Sequence, residues 1–321
     1  MSEATTDRQT IRTHHHTEFD GHLLARRKRD LEVTTAVVIP ARNEAPTVGE
    51  VAGTLVRHLR DDIGLIDDVL VVDADSIDGT GDIARAAGAR VVRQSDVLPE
   101  RGTEAGKGEA MFKGLAATTA DLLVYIDADI RDIGPRFVVG LLGPLLTDPN
   151  VGFVKATYDR PLHVGDAHQA SGGGRVTELL ARPLIATFWP QLGGLAQPLS
   201  GEIAARRTLL ETLPFARGYG VELAMLVDVL DRHGLTAITQ VDLGRRVHDH
   251  QPIDALGRMA TEILQVALDR LQRSDRITLT GEIGTLLRQP RREADGSIVF
   301  DEHRITHAER SPLADVAQLK G

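Results

Sequence analysis

The feature that most constrains the fold is an alternation of short apolar runs with helical segments from about Thr34 onward. Ala36–Ile39 and Val69–Val72 are β-branched runs, and the segment Thr47–Leu59 between them carries apolar residues at helical spacing. Leu122–Ile126 is a further apolar run of the same kind. This alternation predicts an α/β fold with a mostly parallel sheet and helices on both faces. Ligands of such sheets bind beyond the carboxyl ends of the strands, so the polar residues that follow each run are the site candidates.

The second half of the chain is less regular. Its patterns predict helices over Val176–Phe188, Val221–Asp231 and Ile253–Leu271, and strands over Val151–Ala156 and Ala237–Val241. Beyond Ser274 the chain is polar with few aliphatic clusters, so we expect a loosely packed tail.

Composition limits the classes of partner. The 321 residues carry a net charge of −9 and only 3% aromatic side chains, which argues against a surface that binds nucleic acid. The chain has no cysteine, which excludes disulfides and thiolate metal sites. A reducing cytosol is the easier interpretation of a chain without cysteine, so we expect a cytoplasmic location. No apolar run approaches the roughly 18–20 residues needed to span a bilayer, so we expect no membrane partner.

The first thirty residues are polar and hold two charged or metal-ligating clusters. His14–His16 is a possible metal site, but a disordered tail is the favoured interpretation. The basic run Arg26–Arg29 is interpreted as the solvated face of a helix.

The sharpest chemical feature is a pair of carboxylates directly after the apolar run Leu122–Ile126. Asp127 and Asp129 are two residues apart, and such a pair at a strand end can hold a divalent cation. Mg²⁺ or Mn²⁺ prefers oxygen ligands of this kind and would offset charge on a leaving diphosphate. Two solvated loop aspartates are the alternative. Asp73–Asp75 also follows a strand, where turn chemistry explains it equally well.

Several motifs together resemble those of GT-A-fold glycosyltransferases. Val37–Glu44 resembles the opening strand and nucleotide-binding turn of that class, Val71–Ser76 its second strand, and Asp127–Asp129 its metal motif. More specific segments follow in order: Gly106–Ala110, Gly172–Glu178, Gln197–Glu202, Gly218–Glu222, and Val247-His248 ahead of Asp254–Gly257. The set resembles the glucosyl-3-phosphoglycerate synthases and their mannosyl-3-phosphoglycerate relatives, over roughly residues 34–271.

The resemblance implies a Rossmann-like GT-A fold with a C-terminal helical extension on the acceptor side. We divide the chain accordingly into an N-terminal extension (1–33), a nucleotide-sugar-binding half (34–155), an acceptor-binding half (156–274) and a C-terminal tail (275–321). The implied enzyme is a metal-dependent, retaining hexosyltransferase that moves glucose from UDP-glucose to 3-phosphoglycerate, and it is implied to be a homodimer.

Site roles are carried over position by position. The donor would be bound by Pro40, Ala41, Arg42, Glu44, Ala74, Lys107, Asp127, Ala128 and Asp129. Asp127, Asp129 and His248 would hold the metal, and the acceptor would contact Gly174, Arg175, Thr177 and His250. Asp129, Thr177, Leu199 and Glu222 would serve catalysis, with the Leu199 carbonyl and Thr177 orienting the acceptor hydroxyl and Glu222 holding sugar hydroxyls.

One part of this assignment has independent physical support. The glycine run Gly172–Gly174 opens a predicted helix, where free backbone N–H groups and the helix dipole favour an anion. Arg175 adds a bidentate fork and Thr177 a hydroxyl, which suits a phosphate or carboxylate.

Four other functions remain open at this point. The same fold could use GDP-mannose as donor, because sugar choice depends on a few hydrogen bonds. An inverting transferase acting on a lipid phosphate would be expected to carry a membrane segment or a basic amphipathic helix. A regulator that binds nucleotide sugars without chemistry would bind them without metal. A nucleotidyltransferase would normally carry a glycine-rich loop after the first strand, whereas Pro40–Glu44 has no glycine.

Overall fold

The computed structural model describes residues 10–159, 162–164, 167–169, 174–246 and 252–318. Within them the strands are β1 Arg12–His15, β2 Thr35–Ala41, β3 Asp68–Asp73, β4 Arg90–Arg93, β5 Leu122–Tyr125, β6 Phe153–Asp159, β7 Leu162–Val164, β8 Ala167–Gln169, β9 Ile203–Arg206, β10 Phe215–Ala216, β11 Ile238–Arg245, β12 Leu286–Arg292, β13 Ile298–Arg304 and β14 Glu309–Arg310. The α-helices are α1 Gly21–Asp30, α2 Val48–Leu55, α3 Thr80–Ala86, α4 Lys107–Ala116, α5 Pro135–Thr147, α6 Arg182–Phe188, α7 Arg207–Leu210, α8 Val221–His233, α9 Ile253–Arg273 and α10 Leu313–Gln318. Val56–Asp62 and Thr177–Ala181 are π-helical turns that adjoin α2 and α6.

The central sheet confirms the predicted α/β class. In the described part of the chain eight strands pair in the order β1-β11-β6-β9-β5-β2-β3-β4. All neighbours are parallel except β9, which runs antiparallel to both β5 and β6. The chain crosses from β5 to β6 through α5, and the short strand β9 is inserted afterwards between these two strands, beside the strand that precedes Asp127 and Asp129.

Two hydrophobic cores cover the two faces of this sheet. Successive residues of a strand face opposite sides, so Val38 packs into one core and Val37 into the other. The first core also contains Phe112 of α4 and Leu223 of α8, whereas the second contains residues of α2 and α5. Strands buried on both faces explain why their sequences are continuously apolar.

Helix α4 approaches the sheet unusually closely through Gly114. A Cβ atom at this position would lie 2.3 Å from Cγ1 of Val38 and 3.2 Å from Cγ2 of Val72. Because α4 begins with Lys107, this contact helps to fix how close Lys107 lies to the carboxyl ends of the strands.

His14 and His15 lie in the sheet and His16 begins the 3-10 turn His16–Glu18, so the prediction of a disordered tail is wrong for them. β1 forms parallel pairs with β11 from Arg12↔Thr239 to His15↔Asp242. The basic run lies on α1, where Arg26, Arg27 and Arg29 are exposed as predicted. Lys28 departs from that pattern, because it is buried and forms an ion pair of 2.5 Å with Asp67.

The C-terminal segment is also more ordered than predicted. β12 and β13 form an antiparallel hairpin with one largely exposed face. Ile305 is buried, and β14 pairs antiparallel with β10 near the middle of the chain. The expected loose packing is therefore wrong for residues 305–310, because long-range contacts order them.

None of the helices in the described parts of the chain is long and apolar enough to cross a membrane.

The packing of α4 yields a stability prediction. Gly114→Ala should lower the free energy of unfolding by about 1–3 kcal/mol, because the new methyl group overpacks a rigid core against Val38. This expected loss already includes the gain of about 1 kcal/mol in helix propensity when alanine replaces glycine. Urea titration measures the change, with Gly193→Ala as the control, since no atom lies within 4 Å of a Cβ there. Equal stability of the two variants would contradict this packing argument.

Candidate active site

The carboxylate pair leaves the sheet at the carboxyl end of β5. The strand continues briefly past Tyr125, because the amide of Ile126 donates to the carbonyl of Val38 at 3.1 Å. Ile126, Ala128 and Ile130 are buried in the core. Their burial anchors the backbone and leaves the intervening side chains of Asp127 and Asp129 at the edge of the sheet.

Two cations lie against these carboxylates. The Lys107 Nζ is 2.6 Å from Oδ1 of Asp127, and Nη2 of Arg246 lies 3.3 Å from Oδ2 of Asp127 and 3.2 Å from Oδ1 of Asp129. Burial alone would raise the pKa of Asp127, but Lys107 and Arg246 hold it well below its usual range. Burial and the neighbouring charge of Asp127 raise the pKa of Asp129. The pair therefore consists of one firmly ionised carboxylate and one that takes up a proton more readily.

Lys107 joins three elements at this point. Its Nζ also lies 3.0 Å from Oε1 of Glu222, the second residue of α8. Burial would lower the pKa of Lys107, but Asp127 and Glu222 outweigh burial and raise it, so the ammonium stays charged. Gly108 permits the approach, because a Cβ there would lie only 1.8 Å from the carbonyl oxygen of Ala216, just before α8.

Arg246 is held from behind by a buried network that the sequence did not reveal. Its side chain is 3% exposed, and Nη1 lies 2.7 Å from Oε1 of Glu202. The same nitrogen donates to the Tyr158 hydroxyl at 2.7 Å, and that hydroxyl donates to Glu202 Oε2 at 2.9 Å. Glu202 belonged to a motif quoted above and Arg246 precedes Val247-His248, but neither position indicated a contact with the carboxylate pair.

The turn that precedes β9 closes one wall of the site. The backbone carbonyl of Ser200 accepts a hydrogen bond of 2.5 Å from the buried Lys155 Nζ, and the Ser200 hydroxyl donates to the Ala156 carbonyl. Burial lowers the pKa of Lys155 to about 8. Gly201 is next, and a Cβ there would lie 2.2 Å from Lys107 Nζ and 2.4 Å from both carboxylate oxygens of Asp127. Leu199 precedes them and is partly buried against the first core.

The turns after β2 and β3 are tied to each other. The amide of Ala74 donates to the Ala41 carbonyl at 2.8 Å, and the amide of Glu44 donates to the Thr80 hydroxyl at 2.8 Å. Pro40 and Ala74 are partly exposed, Ala41 is buried and Arg42 is exposed. The two turns thus form a continuous rim with backbone groups and one carboxylate, that of Glu44.

Glu44 is electrostatically part of the same site. Burial raises its pKa to about 7, and the charges of Asp129, Asp127 and Asp78 add to the effect. The donor-side residues expected from sequence therefore meet at one edge of the sheet.

The acceptor side is described only in part. Gly174 accepts a hydrogen bond from the amide of Glu178 at 3.0 Å, Thr177 is buried and Arg175 is exposed. Gly172, Gly173, His248 and His250 lie outside the described residues, so the glycine-run argument and the two histidine assignments stay predictions.

Comparisons with known proteins identify the family of the chain. The model of glycosyl transferase family 2 matches residues 36–198. The glucosyl-3-phosphoglycerate synthase of Petrotoga mobilis is 42% identical over 311 residues, which are 96% of this chain and 95% of that protein. The chain belongs to the family of glucosyl-3-phosphoglycerate synthases.

Solved structures support the family and the GT-A fold. The crystal structure of mannosyl-3-phosphoglycerate synthase from Rubrobacter xylanophilus matches with a TM-score of 0.88 at 40% identity, covering 95% of this chain and 97% of that one. The crystal structure of glucosyl-3-phosphoglycerate synthase from Mycobacterium tuberculosis in complex with Mn²⁺, UDP-glucose and phosphoglyceric acid matches with a TM-score of 0.82 at 39% identity, covering 95% and 99%.

The residues of this family member fit a divalent cation at Asp127 and Asp129. Both side chains offer carboxylate oxygens, the ligands that Mg²⁺ and Mn²⁺ prefer. The Asp129 side chain is 53% exposed and so accessible to an entering ion, whereas that of Asp127 is 21% exposed. Lys107 and Arg246 also pair with Glu222 and Glu202, so these two cations are shared among four carboxylates and the cluster can accept an added cation.

A second group of metal-ligating side chains does not fit a metal. Among the described residues Asp269, His307 and Glu309 bring their ligand atoms within 4.8 Å of one another. Arg270 and Arg273 already pair with both carboxylates at distances of 3.0 Å or less. Their charge is therefore balanced by arginine, and we assign no metal there.

The raised pKa of Glu44 predicts a pH dependence of stability. A carboxyl with a raised pKa binds its proton more tightly in the folded state, so it favours folding below its ordinary pKa of 4.5 and loses this benefit as pH rises through about 7. Relative to Glu44→Gln, the wild type should lose about 1 kcal/mol over this window, a value reduced for solvent screening. Urea unfolding with EDTA at several pH values measures the difference, and a constant difference would refute the environment assigned to Glu44.

Proposed function

We propose that this chain transfers glucose from UDP-glucose to 3-phosphoglycerate and releases UDP, with Mg²⁺ or Mn²⁺ bound at Asp127 and Asp129. The observation that carries the proposal is the contact of Asp127 with Lys107, and of Lys107 with Glu222, at the carboxyl edge of the sheet. It occurs in a chain that aligns over 96% of its length with a glucosyl-3-phosphoglycerate synthase.

On the donor side the rim formed by Pro40, Ala41, Arg42, Glu44 and Ala74 holds the base and ribose. Ala128 contributes backbone beside the diphosphate, and Lys107 supplies a positive charge there. When bound, the metal offsets the negative charge that develops on the leaving diphosphate. His248 would complete its protein ligands.

The acceptor lies across the site, with its anionic groups on Gly174, Arg175 and Thr177 and with His250 as a neighbour. Phosphate and carboxylate match the fork of Arg175. Thr177 and the carbonyl of Leu199 orient the acceptor hydroxyl, while Glu222 accepts hydrogen bonds from sugar hydroxyls.

In the reaction the bond between the anomeric carbon and the diphosphate oxygen breaks. A new bond forms from that carbon to the hydroxyl oxygen of 3-phosphoglycerate, and the hydroxyl proton passes to the departing diphosphate. Attack on the same face retains the anomeric configuration. No side chain is assigned as nucleophile, so catalysis rests on positioning and on the charges of the site.

A second candidate donor is GDP-mannose. The mannosyl-3-phosphoglycerate synthase structure matches with a TM-score of 0.88, so the same fold occurs in enzymes named for glucose and for mannose. The two donors differ in the nucleotide base and in the configuration of the sugar at C2. Both are offered in the assay below.

Three further properties are part of the proposal. The enzyme works in the cytoplasm, because both substrates are highly charged metabolites that do not cross membranes unaided. It acts as a homodimer, and residues 34–155 and 156–274 serve as its donor and acceptor halves, with residues 1–33 and 275–321 as flanking segments.

The central test is turnover. Purified protein with 3-phosphoglycerate and Mg²⁺ should release UDP from UDP-glucose, and Asp129→Asn should lower kcat/KM by about 10³-fold or more, because a ligand to the charge-stabilising ion is lost. Asp275→Asn, in the turn after α9, is the matched control and should keep full activity. Preference for GDP-mannose would change the donor only, and no turnover with either donor would refute the function.

The turn before β9 yields a binding prediction. Gly201→Ala places a methyl group where Lys107 and Asp127 meet, so it should weaken Mn²⁺-dependent binding of UDP by about 10- to 100-fold, the range expected when the support of a metal ligand is disturbed. Isothermal titration calorimetry measures the affinity, with Gly193→Ala as the control. Wild-type affinity in Gly201→Ala would show that the ion pair is not needed for binding the diphosphate.

A further inference from the structure

The C-terminal strand β14 reaches back onto the first turn of α4. Nε of Arg310 donates to Oε2 of Glu109 and Nη2 donates to Oε1, each at 2.7 Å, across 201 residues of sequence. The Glu109 side chain is fully buried and that of Arg310 is 11% exposed. A bidentate pair of this kind fixes orientation as well as charge.

The same strand also secures the segment between α4 and α8. β14 pairs with β10, and the amide of Arg217 donates to the Ala308 carbonyl at 2.9 Å. The Arg217 carbonyl in turn accepts from the amide of Glu109 at 3.0 Å. Residues 215–217 are therefore held between the C-terminal strand and the start of α4.

Arg310 further ties down the loop that leads into α4. Its Nη1 donates to the Arg101 carbonyl at 2.8 Å. Lys113, one turn along the helix, donates to the Gly102 carbonyl at 2.8 Å and lies 3.9 Å from Glu109. Lys113 of α4 thus already places a positive charge near Glu109. Arg310 adds a bidentate contact that fixes the orientation of the Glu109 carboxylate.

That geometry bears on Lys107, which lies two residues before Glu109. The ammonium of Lys107 reaches both Asp127 and Glu222 within 3.0 Å. A small shift of the first turn of α4 would break at least one of these contacts.

We propose that Arg310 is a positioning residue of the donor site: through Glu109 it fixes the first turn of α4 and so places Lys107 between Asp127 and Glu222. The inference rests on the proposed role of Lys107 at the diphosphate. It assigns to the C-terminal segment a part in donor binding that acts through α4.

The test compares five forms of the full chain: wild type, Arg310→Gln, Arg310→Lys, the double variant Glu109→Gln/Arg310→Gln, and Arg288→Gln. The double variant leaves no unpaired buried carboxylate, so it keeps the fold if the single variant does not. Arg288 is the matched control, because it lies in the same C-terminal segment and its side chain forms an exposed ion pair with Glu302.

Two readouts are measured well below the unfolding midpoint. Hydrogen exchange of peptides that cover residues 106–110 reports the first turn of α4 without any ligand. Calorimetry with UDP and Mn²⁺ reports the donor site. Arg310→Gln and the double variant should exchange at least tenfold faster at this turn and bind UDP about tenfold more weakly, while Arg288→Gln matches the wild type. Arg310→Lys should recover only part of the affinity, because it restores charge without the fork.

Folded variants with wild-type exchange at residues 106–110 and with UDP affinity within twofold of the wild type would overturn the inference. Faster exchange with unchanged UDP affinity would also overturn it, since Arg310 would then be structural only. If the wild type itself fails to bind UDP, the proposed function fails separately.

Discussion

The contact between the Lys107 ammonium and the Asp127 carboxylate is the interaction on which the rest of the site depends. It joins the amino terminus of α4 to the carboxyl end of β5, and Glu222 extends it to α8. The contact exists because glycine stands at two places where any side chain would intrude, Gly108 and Gly201. A change in any of these elements therefore alters the position of a charge at the place where the diphosphate would lie.

The balance of charge around this contact explains why the site suits a divalent cation. Four carboxylates, those of Asp127, Asp129, Glu202 and Glu222, lie against Lys107 and Arg246. The buried Lys155 is the third cation of this cluster. Buried charges without compensation are costly, and burial together with the neighbouring charge of Asp127 raises the pKa of Asp129. A divalent cation bound at Asp127 and Asp129 would offset part of this negative charge.

The sequence predicted the parts of the fold that follow from local pattern. Continuous apolar runs identified β2, β3 and β5, because strands covered on both faces have no polar side. β9 was not predicted, since its four residues carry no pattern that distinguishes an antiparallel insertion from a loop. α5 was missed as well, because Gly140, Gly143 and Pro144 interrupt its helical spacing.

The site shows the same division. Asp127 and Asp129 could be named because their position after a strand has a direct chemical meaning, and Lys107 and Glu222 because they lie in motifs that resemble a family. Arg246 was missed because its importance comes from contacts with residues more than one hundred positions away. The ordered C-terminal strand was missed for the same reason, since a two-residue pairing with β10 leaves no periodicity.

The central claim is that the Asp127–Asp129 edge of the sheet holds the metal and the diphosphate of the donor. A crystal structure of the chain grown with Mn²⁺ and UDP, with anomalous data collected for manganese, tests it most directly. We predict an anomalous peak within coordination distance of Asp127 or Asp129, with the diphosphate of UDP beside it and Lys107 in contact with a phosphate oxygen. A manganese peak at another place, such as Asp269 and Glu309, or UDP bound away from this edge while Lys107 and Asp127 remain paired, would contradict the account.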